Sequence, residues 1–335
     1  MPMHLPTRKI GEDNVSAIGF GLAGLSGFYG PKADDEERFK ILDTALEMGC
    51  TNWDTAAFYG DNEELVGKWF KRTGKRDKIF LATKFGITPD GPNGKAEHVR
   101  TAIEDNLKRL GIDTIDLYYV HRVDQTTPIE ITVRAMAELV KEGKVRYLGL
   151  SEVSATTLRR AHAIHPISAV QIEYSPFFLD MEDETIGLLK ACRELGIAVV
   201  AYSPLGRGVL TGAIKSNDDF DEGDWRKHIP KYSNANFANI LKLAAGLEEI
   251  GKKYNATAGQ IALAWILAQG EDIIPIPGTK KIKYLQENIE AVHIRLSADD
   301  VSSVRALATT LAPTIVGDRS RTMHWLFADT PELPV

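Results

Sequence analysis

The segment IAVVAYS at 197–203 is a nearly continuous run of apolar residues. Such a run is typical of a parallel strand that is buried on both faces of its sheet. Similar short runs, rich in β-branched and aromatic residues, recur on either side of it along the chain. Together they predict eight strands near 17–21, 50–54, 79–84, 115–120, 145–150, 169–174, 198–202 and 273–277.

The segments between the strands predict helices that cover a sheet. Residues 34–48 and 182–195, for example, carry apolar side chains at spacings of three and four. Eight strand–helix units favour an α/β fold of the (β/α)8 TIM-barrel type, with residues 1–335 forming one domain. A doubly wound open sheet with a helical cap is the alternative. The stretch TRKIGEDNVS at 7–16 predicts a hairpin around residues 12–14 that plugs the bottom of the barrel.

Two polar segments predict walls around a site. The stretch from 212 to 239, which contains DDFDEGDW, is too long for a routine connection and predicts an excursion or lid. The tail after Thr309 predicts a second wall, as a C-terminal extension of the barrel.

The composition favours small-molecule partners. Of 335 residues, 44% are hydrophobic and 26% charged, and the net charge of −6 lacks the basic excess typical of proteins that bind nucleic acid or anionic membranes. The two cysteines show no CxxC spacing. Neither a signal peptide nor an apolar run of roughly 20 residues is present. We therefore expect a cytoplasmic protein without nucleic-acid or membrane partners, and the sequence leaves the oligomeric state open.

Two short motifs match binding patterns without their context. GFGLAG at 19–24 fits GxGxxG, but a dinucleotide-binding unit opens a helix at its third glycine, whereas helical spacing here resumes only near Asp34. A flexible loop at which backbone approaches a ligand is the alternative. His162 and His165 form HxxH, but no third ligand stands at a suitable spacing, and we expect no metal site.

Polar residues follow several predicted strands at the point where each strand ends. They are Asp54, Lys84, His121, Ser151, Gln171 and Tyr202. In a barrel the carboxyl ends of the strands meet at one face, which is where barrel enzymes build their active sites. A lysine or histidine at the end of an apolar run is also hard to explain by packing, because burying an unpaired charge is costly. The pattern predicts an active site at this face.

Seven stretches of the chain resemble the aldo-keto reductase superfamily, from about Lys9 to Leu307. They are NWDTAAFYGDNEELVG at 52–67, ATKFG at 82–86, IDLYYVH at 115–121, LGLSE at 148–152, VQIEYSP at 170–176, AYSPLGRGVLTG at 201–212 and IPIPGTKKIKYLQENI at 274–289. The stretch from 149 to 175 further resembles a fungal and plant branch with perakine-reductase-like and pyridoxal-reductase-like members.

The resemblance implies an NADP-dependent oxidoreductase of the carbonyl-reductase or alcohol-dehydrogenase type, with Asp54, Tyr59, Lys84 and His121 as catalytic residues. Tyr59 would be the general acid. A free tyrosine has a pKa of about 10, and a nearby ammonium, here Lys84, stabilises the phenolate. Asp54 would hold Lys84 in place, and His121 would orient the carbonyl oxygen of the substrate.

The resemblance also implies NADP(H) as the cofactor. It places Tyr202 against the nicotinamide, Ser151 and Gln171 on its carboxamide, the loop at 203–208 around the pyrophosphate, and Thr279 and Lys280 on the 2′-phosphate at a helix start. The full predicted set is Ser151, Gln171, Tyr202, Ser203, Pro204, Leu205, Gly206, Arg207, Gly278, Thr279, Lys280, Glu287 and Asn288, the last two on the adenine.

Two positions depart from the family pattern. Glu152 stands where an asparagine is common, which leaves the second carboxamide contact open. Tyr284 stands where many relatives carry arginine or glutamine, so the NADPH preference depends mainly on Lys280.

Aromatic residues on loops predict the walls of the substrate pocket: Phe28, Tyr29, Trp225 and Trp325. They favour an apolar or ring-bearing carbonyl compound. Pyridoxal, aryl aldehydes and metabolite ketones stay open as substrates. The alternative from another class is a cofactor-sensing regulatory or scaffold protein, because potassium-channel β-subunits share this barrel. A metal-dependent hydrolase lacks the required ligands.

Overall fold

Parallel strands make up the main sheet, and each of them is hydrogen-bonded to the barrel strand that precedes it in the chain. A computed structural model describes residues 5–334. The strands in this part of the chain are β1 (Thr7–Ile10), β2 (Asp13–Ser16), β3 (Phe20–Gly21), β4 (Asn52–Asp54), β5 (Phe80–Phe85), β6 (Ile87–Thr88), β7 (Gly91–Pro92), β8 (Ile115–Val120), β9 (Val145–Ser151), β10 (Ile167–Glu173), β11 (Ala198–Tyr202) and β12 (Ile273–Pro275). The eight-stranded sheet has the order β3-β4-β5-β8-β9-β10-β11-β12.

Backbone hydrogen bonds join the first barrel strand to the last. The N–H of Gly19 donates to the carbonyl of Pro275 at 2.9 Å, and the N–H of Gly21 donates to that of Pro277 at 3.2 Å. A Cβ on Gly21 would lie 2.7 Å from the carbonyl oxygen of Ile276, so this closure requires glycine. The predicted (β/α)8 barrel is confirmed, and the open-sheet alternative is wrong. Gly19 and Gly21 of GFGLAG thus serve the closure of the barrel, whereas Gly24 lies near Tyr29 and Lys280.

Helices surround the barrel. Their bounds are α1 (Asp35–Glu47), α2 (Asn62–Thr73), α3 (Ala96–Leu110), α4 (Ile129–Lys141), α5 (Ala155–Ile164), α6 (Leu188–Leu195), α7 (Asn234–Lys252), α8 (Ala258–Leu267), α9 (Ile282–Glu290) and α10 (Ala298–Leu311). None of these helices, within residues 5–334, is both long and apolar enough to cross a membrane.

Two of the predicted helices test the sequence pattern directly. The helix predicted over 34–48 is observed as α1, and the side chain of Asp34 caps it by accepting the N–H of Glu37. The helix predicted over 182–195 begins later, at Leu188. The carboxylate of Asp183 accepts the N–H of Thr185 at 2.7 Å, and Gly187 adopts a left-handed conformation, so a turn precedes α6.

The predicted hairpin is present as β1 and β2, with its turn at Gly11 and Glu12, one residue earlier than expected. Its apolar side chains, Ile10 and Val15, pack among residues that point into the barrel, such as Leu117 and Ala198. The hairpin therefore fills one end of the barrel, and a larger core lies between the strands and the helices.

The predicted excursion is shorter than the sequence suggested. Three 3-10 turns, at Asn217–Asp219, Trp225–His228 and Pro230–Tyr232, lead into α7, which begins at Asn234. The end of the predicted loop is therefore helical. The tail beyond α10 returns to the barrel mouth: the N–H of Ala328 donates to the carbonyl of Glu152, and the carbonyl of Ala328 accepts from the N–H of Ser154.

Candidate active site

Asp54 and Lys84 form a buried ion pair where β4 and β5 end. The ammonium of Lys84 donates to the carboxylate of Asp54 and, at 2.8 Å, to the carbonyl of Thr55. The side chain of Lys84 is 0% exposed and that of Asp54 is 4% exposed. Because a buried charge is costly without a partner, each of these two side chains requires the other.

Tyr59 and His121 lie next to this ion pair, and their rings pack edge to face. Tyr59 sits in the loop after β4, and its ring centroid is 5.0 Å from the Lys84 ammonium and 5.6 Å from the imidazole of His121. Tyr59 is half-buried, whereas His121, directly after β8, is buried. The structure thus brings the four predicted catalytic residues together.

Burial controls the protonation of this group. It lowers the pKa of His121 well below its ordinary value, and the charges of Arg122 and Lys84 act in the same direction. The imidazole is therefore neutral near pH 7. Burial raises the pKa of Asp54, whereas Lys84 and a hydrogen bond from Gln171 oppose that rise.

A cleft of about 480 Å³ opens beside the ion pair. Its walls include most of the predicted cofactor residues together with Asp54, Tyr59 and Tyr29: Gln171, Tyr202, Ser203, Pro204, Leu205, Arg207, Gly278, Thr279 and Lys280. Four predicted residues do not line it, namely Ser151, Gly206, Glu287 and Asn288. A wider groove lies at the opposite end of the barrel, where Arg76 pairs with Asp116 and Arg109 with Glu63. The cleft is thus the one that adjoins the catalytic group.

Two residues predicted to bind the nicotinamide carboxamide have protein partners in the structure. The side-chain N–H of Gln171 donates to Asp54 at 2.7 Å, and Ser151 accepts from the guanidinium of Arg122 at 3.1 Å. Sequence reasoning missed Arg122, although it directly follows His121. It is half-buried and also donates to the carbonyl of His121 at 2.6 Å.

Glu152, Glu173, Arg207 and Arg319 form what we call the four-charge cluster. Glu173 accepts from Arg207 at 2.9 Å and from Arg319 at 2.6 Å, and Glu152 accepts from Arg319 at 3.2 Å. All four side chains are 6% exposed or less. The hydroxyl of Tyr202 donates to Glu152 at 2.7 Å. The cluster thus holds Tyr202, and Glu173 and Arg319 are further residues that sequence reasoning missed.

The guanidinium of Arg207, predicted to contact the pyrophosphate of the cofactor, has several partners within the protein. It donates to Glu173 and to the carbonyl of Arg319, and it lies 4.6 Å from the ring of Trp225. Its backbone adopts a left-handed conformation with φ 58°. Arg207 therefore lines the cleft while its charge is directed toward Glu173.

Lys280 joins two loops across the cleft. Its ammonium donates to the carbonyl of Tyr29 and, at 3.3 Å, to that of Pro31. Arg226, from the excursion, lies 4.8 Å from the ring of Tyr29 and donates to the carbonyl of Arg207 at 2.6 Å. The excursion and the loop after β3 thus meet over the cleft.

The four predicted pocket aromatics occupy different places. Phe28 packs at 5.3 Å against Tyr59, beside the catalytic group. Tyr29 and Trp225 face each other at 6.3 Å next to the cleft. Trp325 lies in the tail, close to Gly91 of the β6–β7 hairpin. The structure therefore places Phe28 beside the catalytic residues. Tyr29 and Trp225 form a separate pair next to the cleft, and Trp325 lies apart from both.

Phe58 is a further aromatic residue beside the catalytic group, and the sequence reasoning missed it. It is 52% exposed, and its ring lies 6.1 Å from that of Phe28 and 6.1 Å from that of His121. Its position directly before Tyr59 was the available signal. The HxxH histidines, in contrast, lie apart from the cleft: His162 accepts the N–H of Ile167 at 3.2 Å, and no metal-ligand cluster occurs among residues 5–334.

The chain matches the profile of the Aldo/keto reductase family over residues 17–309. It is 61% identical to aldo-keto reductase str7 of Strobilurus tenacellus over 99% of this chain and 100% of the relative. It is 49% identical, over the same shares, to aldo-keto reductase yakc of Schizosaccharomyces pombe, whose name includes NADP(+). The structure resembles glycerol dehydrogenase from Gluconobacter oxydans with a TM-score of 0.83 at 26% identity, covering 94% of this chain and 98% of that one.

Proposed function

Because the chain belongs to the aldo/keto reductase family, we propose that it is an NADPH-dependent reductase that converts an aldehyde or a ketone to the alcohol. The observation that supports this most directly is the buried Lys84–Asp54 ion pair next to the ring of Tyr59, with neutral His121 packed against that ring. A half-buried tyrosine near a buried ammonium is suited to donate a proton to a carbonyl oxygen.

In this proposal NADPH, when bound, supplies the hydride. The hydroxyl of Tyr59 donates its proton to the carbonyl oxygen of the substrate, and the ammonium of Lys84 stabilises the phenolate that results. Asp54 holds that ammonium in place and compensates its charge. The neutral imidazole of His121 offers a hydrogen bond to the same oxygen as negative charge develops on it.

The residues that line the cleft fit NADPH. Tyr202 and the loop from Ser203 to Arg207 form one wall, and Gly278, Thr279 and Lys280, close to the start of α9, form another. Among residues 5–334, the buried indole N–H of Trp225, which packs against the cleft residue Arg207, finds no acceptor. The name of the yeast relative also includes NADP(+).

Lys280 is the residue that we expect to select NADPH over NADH. Its hydrogen bonds within residues 5–334 go to two backbone carbonyls, those of Tyr29 and Pro31. A phosphate is a stronger partner than a neutral carbonyl because its bonds to an ammonium are charge-assisted. Arg207 is directed toward Glu173, so the pyrophosphate is left to the backbone amides of its loop.

Apolar and ring-bearing carbonyl compounds are the substrate class that we propose. Phe28, Phe58 and His121 surround Tyr59 with aromatic faces and edges. Such walls favour flat apolar ligands over sugars or other strongly hydrated compounds.

The first test follows the loss of NADPH absorbance with 4-nitrobenzaldehyde and a broad carbonyl panel. We expect Tyr59→Phe to lower kcat by roughly a hundred- to ten-thousandfold, the range for loss of a general acid, and to leave NADPH affinity unchanged. Tyr254→Phe is the matched control, because that hydroxyl bonds to Asp300 away from the cleft. Repeating the assay with NADH tests the role of Lys280.

Two outcomes would contradict the proposal. Full turnover by Tyr59→Phe would remove the proton donor from the mechanism. A wild-type protein that binds NADPH but reduces nothing in the panel would favour the cofactor-sensing scaffold, the alternative from the sequence.

A further inference from the structure

The four-charge cluster carries a feature that the reduction chemistry does not explain. Glu152, where relatives commonly have asparagine, is 0% exposed, and its carboxylate faces the tail residue Arg319. Its backbone is left-handed, with φ 52°, an uncommon conformation for a residue other than glycine. A carboxylate is therefore held at a strained, buried position directly after Ser151.

Arg319 neutralises this carboxylate from a distant part of the chain. Its guanidinium donates to Glu152 and Glu173 and lies 3.4 Å from the hydroxyl of Tyr202. Burial raises the pKa of Glu152, but Arg319, and then Arg122, more than offset this and hold it below its ordinary value. Glu152 is therefore ionised, and the four-charge cluster, with two carboxylates and two guanidiniums, has no net charge.

The position of Tyr202 connects the cluster to the cofactor. Its ring lines the cleft, and its hydroxyl donates to Glu152. The nicotinamide ring is uncharged in NADPH and carries a positive charge in NADP+. Without Arg319 one carboxylate behind Tyr202 would be uncompensated, because Arg207 pairs only with Glu173, and its negative charge would favour NADP+, the product of carbonyl reduction.

We propose that Arg319 is a positioning residue that fixes Tyr202 through Glu152 and, by supplying the second positive charge of the four-charge cluster, keeps the site from preferring NADP+ over NADPH. The proposal rests on the proposed function, because it assumes that NADP(H) occupies the cleft. It makes the C-terminal tail a part of the cofactor site: Arg319 reaches the cluster while Ala328 pairs with the backbone on both sides of Val153.

The test is a double-mutant cycle on cofactor binding, measured by quenching of tryptophan fluorescence with NADPH and NADP+. For Arg319→Met we expect the ratio of the NADP+ Kd to the NADPH Kd to fall by roughly tenfold, because one buried positive charge is lost. For Glu152→Gln, which removes a negative charge, the ratio should rise. The double variant should return close to the wild-type ratio.

Arg160→Met is the matched control. This arginine also holds the tail, through the carbonyls of Thr330 and Pro331, but it lies on α5 and pairs with Glu130. It should leave the ratio unchanged even where it loosens the tail. An Arg319→Met variant that weakens both cofactor forms equally would overturn the proposal and leave Arg319 a purely structural residue.

Glu152→Gln keeps the proposal testable if Arg319→Met does not fold, since Arg319 still pairs with Glu173. An unchanged ratio in this variant would overturn the proposal. A wild-type protein that binds neither cofactor form would overturn the proposed function as well. If the wild type and all variants bind both forms with the same ratio of the two Kd values, only the role of Arg319 is overturned.

Discussion

The two buried ion-pair groups at the barrel mouth differ in the number of chain segments that build them. The Lys84–Asp54 pair comes from the ends of two adjacent strands, β4 and β5, so the barrel itself fixes it. The four-charge cluster needs the ends of β9 and β10, the loop after β11 and the tail. In our two proposals this difference separates proton chemistry, for which the barrel supplies the residues, from cofactor positioning, which depends on the docked tail.

Lys84→Met is expected to have the largest effect. It disrupts the Lys84–Asp54 pair, the proposed catalytic group, and leaves the four-charge cluster intact. Without the ammonium, the phenolate of Tyr59 is unsupported, and we expect kcat to fall by roughly a hundred- to ten-thousandfold. NADPH affinity, measured by fluorescence titration, should change little because the four-charge cluster is intact.

Asp54→Asn combined with Lys84→Met controls for the buried carboxylate that the single variant leaves unpaired. It should fold better than Lys84→Met and stay as inactive. If NADPH affinity fell in parallel with kcat in both variants, the two groups would not be separable.

Glu173→Gln disrupts the four-charge cluster instead. The carboxylate of Glu173 serves both Arg207 and Arg319, so its loss leaves two buried guanidiniums with too little compensation. We expect the free energy of unfolding, from urea titration, to fall by about 3–5 kcal/mol, as for other broken buried pairs.

The matched control is Glu142→Gln, whose carboxylate also serves two cations, Arg100 and Lys144, but where the three side chains are 36%, 50% and 32% exposed. There the loss should be far smaller, because solvent screens exposed ion pairs. Equal losses in the two variants would mean that burial of the four-charge cluster contributes nothing special.

The same contrast explains how far the sequence could predict the site. Apolar runs mark parallel strands, and the ends of such strands meet at one face, so Asp54, Lys84 and His121 could be placed from spacing alone. The eight strand–helix units that predicted the barrel were found by the same periodicity. Local pattern is sufficient wherever neighbouring strands supply the residues.

The four-charge cluster left no such signal. Arg319 lies in a tail without strand or helix periodicity, and its partners lie 146 and 167 positions away in sequence. Nothing in the sequence shows that Arg207 turns toward Glu173, since that depends on the left-handed backbone of its loop. Glu152 was recognised as a departure, but its partner became visible only with the tail in place.

The smallest predicted effect is the pH dependence of stability, which differs between His121 in the proposed catalytic group and Glu152 in the four-charge cluster. Burial lowers the pKa of His121 below its ordinary value of 6.5. Below pH 6.5 the unfolded chain therefore binds a proton at this imidazole, whereas the folded protein does not. Stability from this residue is thus fully present above pH 6.5 and is lost as the pH falls below it, by about 1.4 kcal/mol per pH unit. The pKa of Glu152 is lowered from 4.5, so its contribution is lost only below that pH.

Urea titrations of wild type and His121→Gln between about pH 7 and pH 5 therefore isolate the catalytic side. The variant should lose less stability on acidification, while the half-buried His98 and His162, whose pKa values are also lowered by burial, contribute to both proteins alike. Parallel curves would show that His121 accepts a proton in the folded state, and the neutral imidazole would then be lost from the proposed mechanism.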